Sequence, residues 1–187
     1  MKPGTLVFSW GNPSRGDDAL GPLFAEAIEA LRLPGVECLT DFQLQVEHAL
    51  DLAGRRRVLF VDASMEAAAP FSVAPLLPRR DASFTTHAMT PAAILQVYAD
   101  TQAGEPPPAW LLGIRGERWE LGQAISPAAR NNLAAAIEWT RTWLAGDAAG
   151  LRGAGEDCPS DRRERVPQPD GTKPRRVSGG SSAPPPA

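Results

Sequence analysis

Two adjacent carboxylates, Asp17 and Asp18, stand after a tight turn at the end of an apolar run. Val7-Phe8-Ser9-Trp10 leads through Gly11-Asn12-Pro13-Ser14-Arg15-Gly16 into the pair, and then into Ala19-Leu20-Gly21-Pro22 and an amphipathic segment. A third acid arrives the same way: Arg57-Val58-Leu59-Phe60-Val61 is too uniformly apolar to have a solvent face, the pattern of a buried parallel strand, and it ends on Asp62. Open α/β sheets bind ligands in the crevice beyond the carboxyl ends of their strands, so acids delivered to two strand ends predict a pocket that invites a cation. An imidazole can join them, because His87 lies in a loop, Ser83-Phe84-Thr85-Thr86-His87-Ala88-Met89, just before a predicted helix cap at Thr90. Two carboxylates and one imidazole leave room for water or substrate ligands and suit nickel, copper, iron or zinc, whereas an all-oxygen set points to magnesium or calcium.

Each of these residues also has a plainer role. An acid at a helix N-terminus caps backbone N–H groups and complements the dipole, worth about 0.5–2 kcal/mol. One cap needs one aspartate, so Asp17 is assigned to its own helix and Asp18 to the cleft, although the turn allows the two to be exchanged. Asp62 alone would read as a strand-end acid bonded to a neighbouring loop, and His87 alone as a solvated loop residue. His48, in Val46-Glu47-His48-Ala49-Leu50, is flanked by charge and reads as an exposed helix residue.

The same residue types exclude other chemistry. With His48 and His87 the only histidines, neither a three-histidine zinc site nor an H-E-x-x-H helix can be built. Gly11 to Gly16 lacks the G-x-G-x-x-G spacing and the Walker lysine, and Asp17 and Asp18 would repel an anion, which disfavours nucleotide binding. No G-x-S-x-G elbow is present, so a serine hydrolase is disfavoured as well.

The elements that must position these groups alternate. Periodicity predicts strands at about 4–10, 36–40 and 57–62 and helices at about 18–32 and 45–53, the rhythm of parallel strands with helical crossovers. Leu20, Leu23, Phe24, Ala27, Ile28 and Leu31 form the apolar stripe of the first helix. Phe71 to Leu77 carries Pro75 and suits a short edge strand, while Trp110-Leu111-Leu112-Gly113-Ile114 suits a more central one. Thr90-Pro91 and Ser126-Pro127 each put a capping hydroxyl before a proline, predicting helix starts at about 90 and 126. Ile94, Leu95, Val97 and Tyr98 should line the first of these helices, and Leu133, Ile137, Thr140 and Leu144 the second. The expected object is a three-layer α/β/α domain over residues 1–145.

From Gly146 to Ala187 the composition changes: Leu151, Val166 and Val177 are the only large aliphatic residues among many Gly, Pro, Ser and mixed charges. Such a segment cannot bury enough apolar surface to offset its ordering entropy, and we expect a disordered tail over 146–187. The 187 residues, 43% hydrophobic with net charge −3, fit one soluble domain and offer no nucleic-acid-binding surface. No apolar run approaches the ~20 residues that span a bilayer, and no signal-peptide core follows Met1, so a cytoplasmic protein without membrane contact is expected. Cys38 and Cys158 are read as free thiols.

Taken in order, Gly11-Asn12, Gly16-Asp17-Asp18-Ala19-Leu20-Gly21, Phe60-Val61-Asp62-Ala63 and His87 before a helix make the chain resemble the hydrogenase maturation proteases. These endopeptidases remove the C-terminal extension from the large subunit of a nickel–iron hydrogenase. The resemblance covers about residues 4–145 and implies a mostly parallel, five-stranded twisted sheet in an α/β/α sandwich. It also implies a metal-binding and catalytic cluster of Asp18, Asp62 and His87. That cluster would recognise nickel presented by the precursor rather than permanently bound, and the implied partner is the large-subunit precursor. Two departures stand out. The first acid is often glutamate in the family, so Asp18, one methylene shorter, needs a closer loop. Many members have an aspartate and glycines after the second strand, where this chain reads Thr40-Asp41-Phe42-Gln43-Leu44-Gln45-Val46-Glu47, with Asp41 and Gln43 as candidate cleft residues. The Asp-Phe-Gln-Leu-Gln variant is similar to the branch serving NAD-reducing, multisubunit soluble hydrogenases. A non-catalytic module that checks nickel occupancy and a small-molecule hydrolase on a similar scaffold are the competing readings.

Overall fold

In the computed structural model, residues 4–80, 89–102 and 104–146 are described. The opening apolar run is strand β1 (Thr5–Trp10), buried in all but its last residue. A 3-10 turn over Gly16–Ala19 leads into helix α1 (Leu20–Ala30). Strand β2 (Val36–Asp41), a second 3-10 helix over Val46–Leu52, and strands β3 (Arg57–Ser64) and β4 (Phe71–Leu76) come next. Helix α2 (Pro91–Thr101), strand β5 (Ala109–Arg115) and helix α3 (Pro127–Ala145) complete the described chain.

These strands form one five-stranded sheet in the order β2-β1-β3-β5-β4. β1 runs parallel to β2 and β3, and β3 parallel to β5, while β4 runs antiparallel on the outer edge of β5. Parallel neighbours need a crossover between them, and the helices supply it. One face of the sheet, through Val7, Leu59, Val61, Leu112 and Ile114, packs on Leu20, Phe24 and Ile28 of α1 and on Ala129, Ala136 and Trp143 of α3. The other, through Leu6, Phe8, Val58 and Phe60, packs on Ala49 and Leu52 of the second 3-10 helix and Ile94 and Leu95 of α2. The fold is thus α/β, with a mixed but mostly parallel sheet covered on both faces by helices among the described residues. β3 lies at its centre with Val58 to Val61 wholly buried, each large side chain contributing about 1.5–3 kcal/mol of transfer free energy.

The caps fall where the hydroxyl-proline pairs predict them. Thr90 Oγ1 accepts from Ala93 N at 3.2 Å and Ser126 Oγ from Ala129 N at 3.1 Å, each with proline in the first helical turn. Pro75 sits in the edge strand β4, where a missing N–H is tolerated. Three details differ from expectation. Asp17 and Asp18 both lie inside a 3-10 turn, and the α-helix expected from about 18 begins at Leu20. The helix expected over 45–53 is 3-10, too short for cooperative α-helix formation without a long packed stripe. On α3 the fully buried line is Ala129, Ala136, Thr140 and Trp143, with Leu133, Ile137 and Leu144 half-buried at its flank. Cys38 is a free thiol on β2, and burial pushes its pKa up to about 11; Cys158, like His87, lies outside the described residues.

Candidate functional site

β1, its following turn and β3 bring Asp18 and Asp62 to the carboxyl edge of the sheet. Gly11 begins the turn at φ +142°, a conformation closed to side chains, and a Cβ there would strike the carbonyl of Asp18. Gly21, in the first turn of α1, allows the helix to approach the main chain of Trp10 just as closely. The turn is then closed by polar bonds. Asn12 Oδ1 accepts from Ser14 N at 2.9 Å, Asp18 N donates to Arg15 O at 3.1 Å, and Asn12 N donates to Asp18 Oδ2 at 3.2 Å. The Arg15 guanidinium lies 3.9 Å from the Asp18 carboxylate, whose side chain keeps 20% of its surface exposed.

Asp17 points elsewhere, and its expected role is corrected. It does not cap its own helix: the turn over Gly16–Ala19 has no side-chain cap. Its fully buried carboxylate instead accepts from Glu117 N (2.7 Å), Arg118 N (2.9 Å), Ser126 N (2.6 Å) and Ser126 Oγ (2.9 Å). Burial raises its pKa, but these hydrogen bonds outweigh burial and hold it below the usual carboxylate range. Asp17 therefore fastens the β5–α3 connection to the turn that carries Asp18. Main-chain bonds run alongside, from Asp17 N to Arg118 O, Gly16 N to Gln123 O and Gly122 N to Ser14 O.

Asp62 shares its face of β3 with Phe60, the face covered by α2 and the second 3-10 helix. Its register neighbour on β5 is Gly113, which adds no side chain beside it. Ala63 N donates to Asp62 Oδ1 at 2.8 Å, and the Trp10 side chain on the neighbouring strand adds a weaker pull toward the charged form. Burial, with the negative charge of Asp18 adding to it, still pushes Asp62 up to about 7 against both. Near neutral pH such a group is divided between proton and charge, and positive charge brought beside it favours the ionised form.

His87 lies outside the described residues, so its position relative to the two acids is not part of the geometry. The chain returns at Met89, whose N–H bonds Leu44 O at 3.1 Å and whose side chain packs into the core on the face where Asp62 stands. Among the described residues no three metal-ligating side chains converge.

His48 departs from the exposed position expected of it. Its ring lies tilted against Phe8 with centroids 4.6 Å apart, and the side chain is only 12% exposed. Nδ1 accepts from Gln45 N at 2.9 Å, which places the proton of the neutral ring on Nε2, 3.3 Å from Asp41 Oδ2. Both ring nitrogens are engaged, so His48 closes a capping box and ties down Asp41 instead of serving as a free base. Asp41 also accepts from Phe42 N at 2.6 Å. Trp10, in register between Asp41 on β2 and the Asp62 end of β3, is the site residue that sequence reasoning left unassigned. Its signal was parity: it follows Phe8 on β1 as Asp62 follows Phe60 on β3.

No family model matches the sequence, and no curated protein matches it. Solved structures do match the fold. The hydrogenase maturating endopeptidase HybD from E. coli superposes with a TM-score of 0.59 at 23% identity, over 75% of this chain and 91% of that one. The NiFe hydrogenase maturation protease HycI from Thermococcus kodakarensis gives a TM-score of 0.59 at 21% identity, over 78% and 94%. A hydrogenase 2 maturation peptidase from a Thaumarchaeota archaeon gives 0.54 at 19%, over 75% and 97%. At these identities the likeness is one of fold. No helix among the described residues is long and apolar enough to cross a membrane.

Proposed function

We propose that this chain is a cytoplasmic endopeptidase that removes the C-terminal extension of a nickel-loaded NiFe hydrogenase large-subunit precursor. In this reading Asp18, Asp62 and His87 receive the nickel that the substrate carries. The observation that supports it is the pair of acids: a half-buried carboxyl group whose pKa is pushed up to about 7 by desolvation and by a second carboxylate. The pair stands at the carboxyl end of the parallel strands β1 and β3, on a fold shared with hydrogenase maturation endopeptidases. A cation docked there favours the charged form of Asp62, and an imidazole from His87 would make the donor set one that suits nickel. Two or three protein ligands leave coordination positions for the precursor's own groups, so the metal ties the precursor to the cleft. Docking of this kind turns binding energy into the position of one scissile bond. Hydrolysis adds water across that bond, leaving a new carboxylate on the mature subunit and a free amine on the released extension.

Residues 1–145 form the peptidase domain in this reading and 146–187 a tail outside it. The Asp41-Phe42-Gln43-Leu44-Gln45 sequence favours a precursor of the NAD-reducing, multisubunit soluble type.

The test is cleavage of purified, nickel-loaded precursor, followed by the mass of the products. Asp62→Asn and His87→Ala should keep the fold and lose about a hundredfold or more of the rate, since docking is lost while the core stays filled. Full activity in either variant removes that residue from the mechanism. Nickel-dependent binding by the wild-type chain with no cleavage would make it a nickel-checking module instead.

A further inference from the structure

The sheet has two outer strands, β2 and β4, and each turns half of its backbone groups away from the strand beside it. On β2 the main-chain bonds fix which half. Gly35 O and Asp41 O face β1, accepting from Thr5 N at 2.9 Å and from Gly11 N at 3.1 Å, so by strand alternation Glu37 and Leu39 face β1 as well. The N–H and C=O groups of Cys38 and Thr40 therefore face outward, where no described residue bonds them. On β4, Pro70 O accepts from Arg115 N, which turns Phe71, Val73 and Pro75 outward, and the ring of Pro75 takes the place of an N–H. A proline on an edge obstructs a further strand; β2 carries none.

The open edge leads to the candidate site. β2 lies against β1, and its last residue, Asp41, accepts the N–H of Gly11, where the turn that carries Asp18 begins. One residue further, Phe42 leaves 66% of its surface exposed while its N–H is held by the Asp41 carboxylate. We propose that the outer edge of β2 takes an extended segment of the precursor as an added strand, its backbone bonded to Cys38 and Thr40 and an apolar side chain of the segment resting on Phe42. Main-chain bonds of this kind hold a peptide whatever its sequence, and the side chains beside them select among sequences. An extended chain also presents its peptide bonds to attack, and a strand added here ends beside the turn of Asp18. A second copy of this chain fits the edge less well. Glu29 and Glu37 both bring negative charge to Cys38, and pairing β2 with itself would set those charges against their copies, whereas a segment carrying Lys or Arg meets them favourably. The identity of the occupant rests on the peptidase reading; the open edge does not.

Two measurements on the full chain test this. Amide hydrogen exchange, followed residue by residue by NMR, should be fast at Cys38 and Thr40 and slow at Glu37 and Leu39. A synthetic peptide spanning the cleavage site of the precursor, in large excess, should slow Cys38 and Thr40 at least about tenfold. No slowing overturns the proposal, and so does slowing that appears when the chain alone is concentrated, which would make the occupant a second copy. In the other measurement, Thr40→Pro removes one outward N–H and puts a ring on the edge while the bonds to β1 stay whole. It should raise KM for nickel-loaded precursor by about tenfold with kcat little changed, and Thr40→Ala, which keeps the N–H, should match the wild type. A wild-type KM in folded Thr40→Pro overturns the proposal and leaves the peptidase reading standing. If Thr40→Pro does not fold, the exchange measurement on the wild-type chain decides alone. Normal processing by Asp62→Asn would sink the peptidase reading instead, since protection of Cys38 and Thr40 by the peptide does not depend on cleavage.

Discussion

Asp17, fully buried, and Asp62, half-buried, are acids of one small domain, yet their surroundings do opposite things to them. Asp17 is met by three backbone N–H groups and a hydroxyl, and its pKa falls. Asp62 is met by one backbone N–H and a neighbouring carboxylate, and its pKa rises to about 7. Asp17 is the more buried of the two, so burial does not account for the contrast; the supply of donors does. A buried charge that is fully bonded holds structure together, whereas one left short of partners is stabilised by whatever positive group arrives next. The carboxyl edge of this sheet thus separates a clamp from a site over a few residues of turn.

The largest effect should come from emptying the clamp. Asp17→Ala leaves the N–H groups of Glu117, Arg118 and Ser126 buried or half-buried without their acceptor and releases the turn that carries Asp18. A loss of about 3 kcal/mol or more is expected, with a melting transition lower by about 10 °C in thermal denaturation. A fall of only a degree or two would mean that the main-chain bonds between the two loops suffice, and the contrast between the two acids would lose its structural half.

A smaller effect of opposite sign is expected at Asp62. Its unfolded pKa is about 4 and its folded value about 7, so between these values the unfolded chain releases a proton that the folded chain keeps. The stability this acid contributes is therefore complete below pH 4 and lost as pH rises through 7. Asp62→Asn removes that dependence. In denaturant titrations of metal-free protein, the variant should gain on the wild type by about 3 kcal/mol between pH 4 and pH 8 and level off above. Parallel curves across that range would show that Asp62 is solvated like an ordinary carboxylate.

The same division runs through what was legible in the sequence. The strands, their faces and the two capped helices could be read because each is set by local periodicity and by hydroxyl-proline pairs, as at Thr90 and Ser126. Asp62 could be placed because a uniformly apolar run must end at a sheet edge. The partners of Asp17 could not, since Glu117, Arg118 and Ser126 lie about a hundred residues away and nothing local marks them as donors. His48 was misplaced for a related reason: its flanking charges suggested an exposed face, but Phe8 and Asp41, supplied by β1 and β2, drew the ring inward. Trp10 was visible as a residue and invisible as a neighbour of Asp62, because its place depends on the register of β1 against β3.

The smallest effect sharpens the comparison by extending it to the other end of the chain. The last carbonyls of an α-helix have no partner within the helix, and a helix end left bare would depend on the next stretch of chain to cover it. Here Arg57, at the start of β3, reaches across to them: its guanidinium donates to Trp143 O at 3.2 Å, Leu144 O at 3.1 Å and Gly146 O at 3.4 Å. The same guanidinium lies 4.1 Å from the ring centre of Trp143, so the charge is paired with dipole and π-face together. The end of α3 is therefore held by a charged side chain from a distant strand, much as Asp17 holds the β5–α3 connection. Residues 147–187 have almost no large apolar side chain to add. Ending the chain after Gly146 should leave the melting transition within about 2 °C, less than about 1 kcal/mol, and leave precursor cleavage unchanged. A larger fall, or a loss of cleavage with the fold intact, would show that residues beyond Gly146 supply a group that the described part of the molecule lacks.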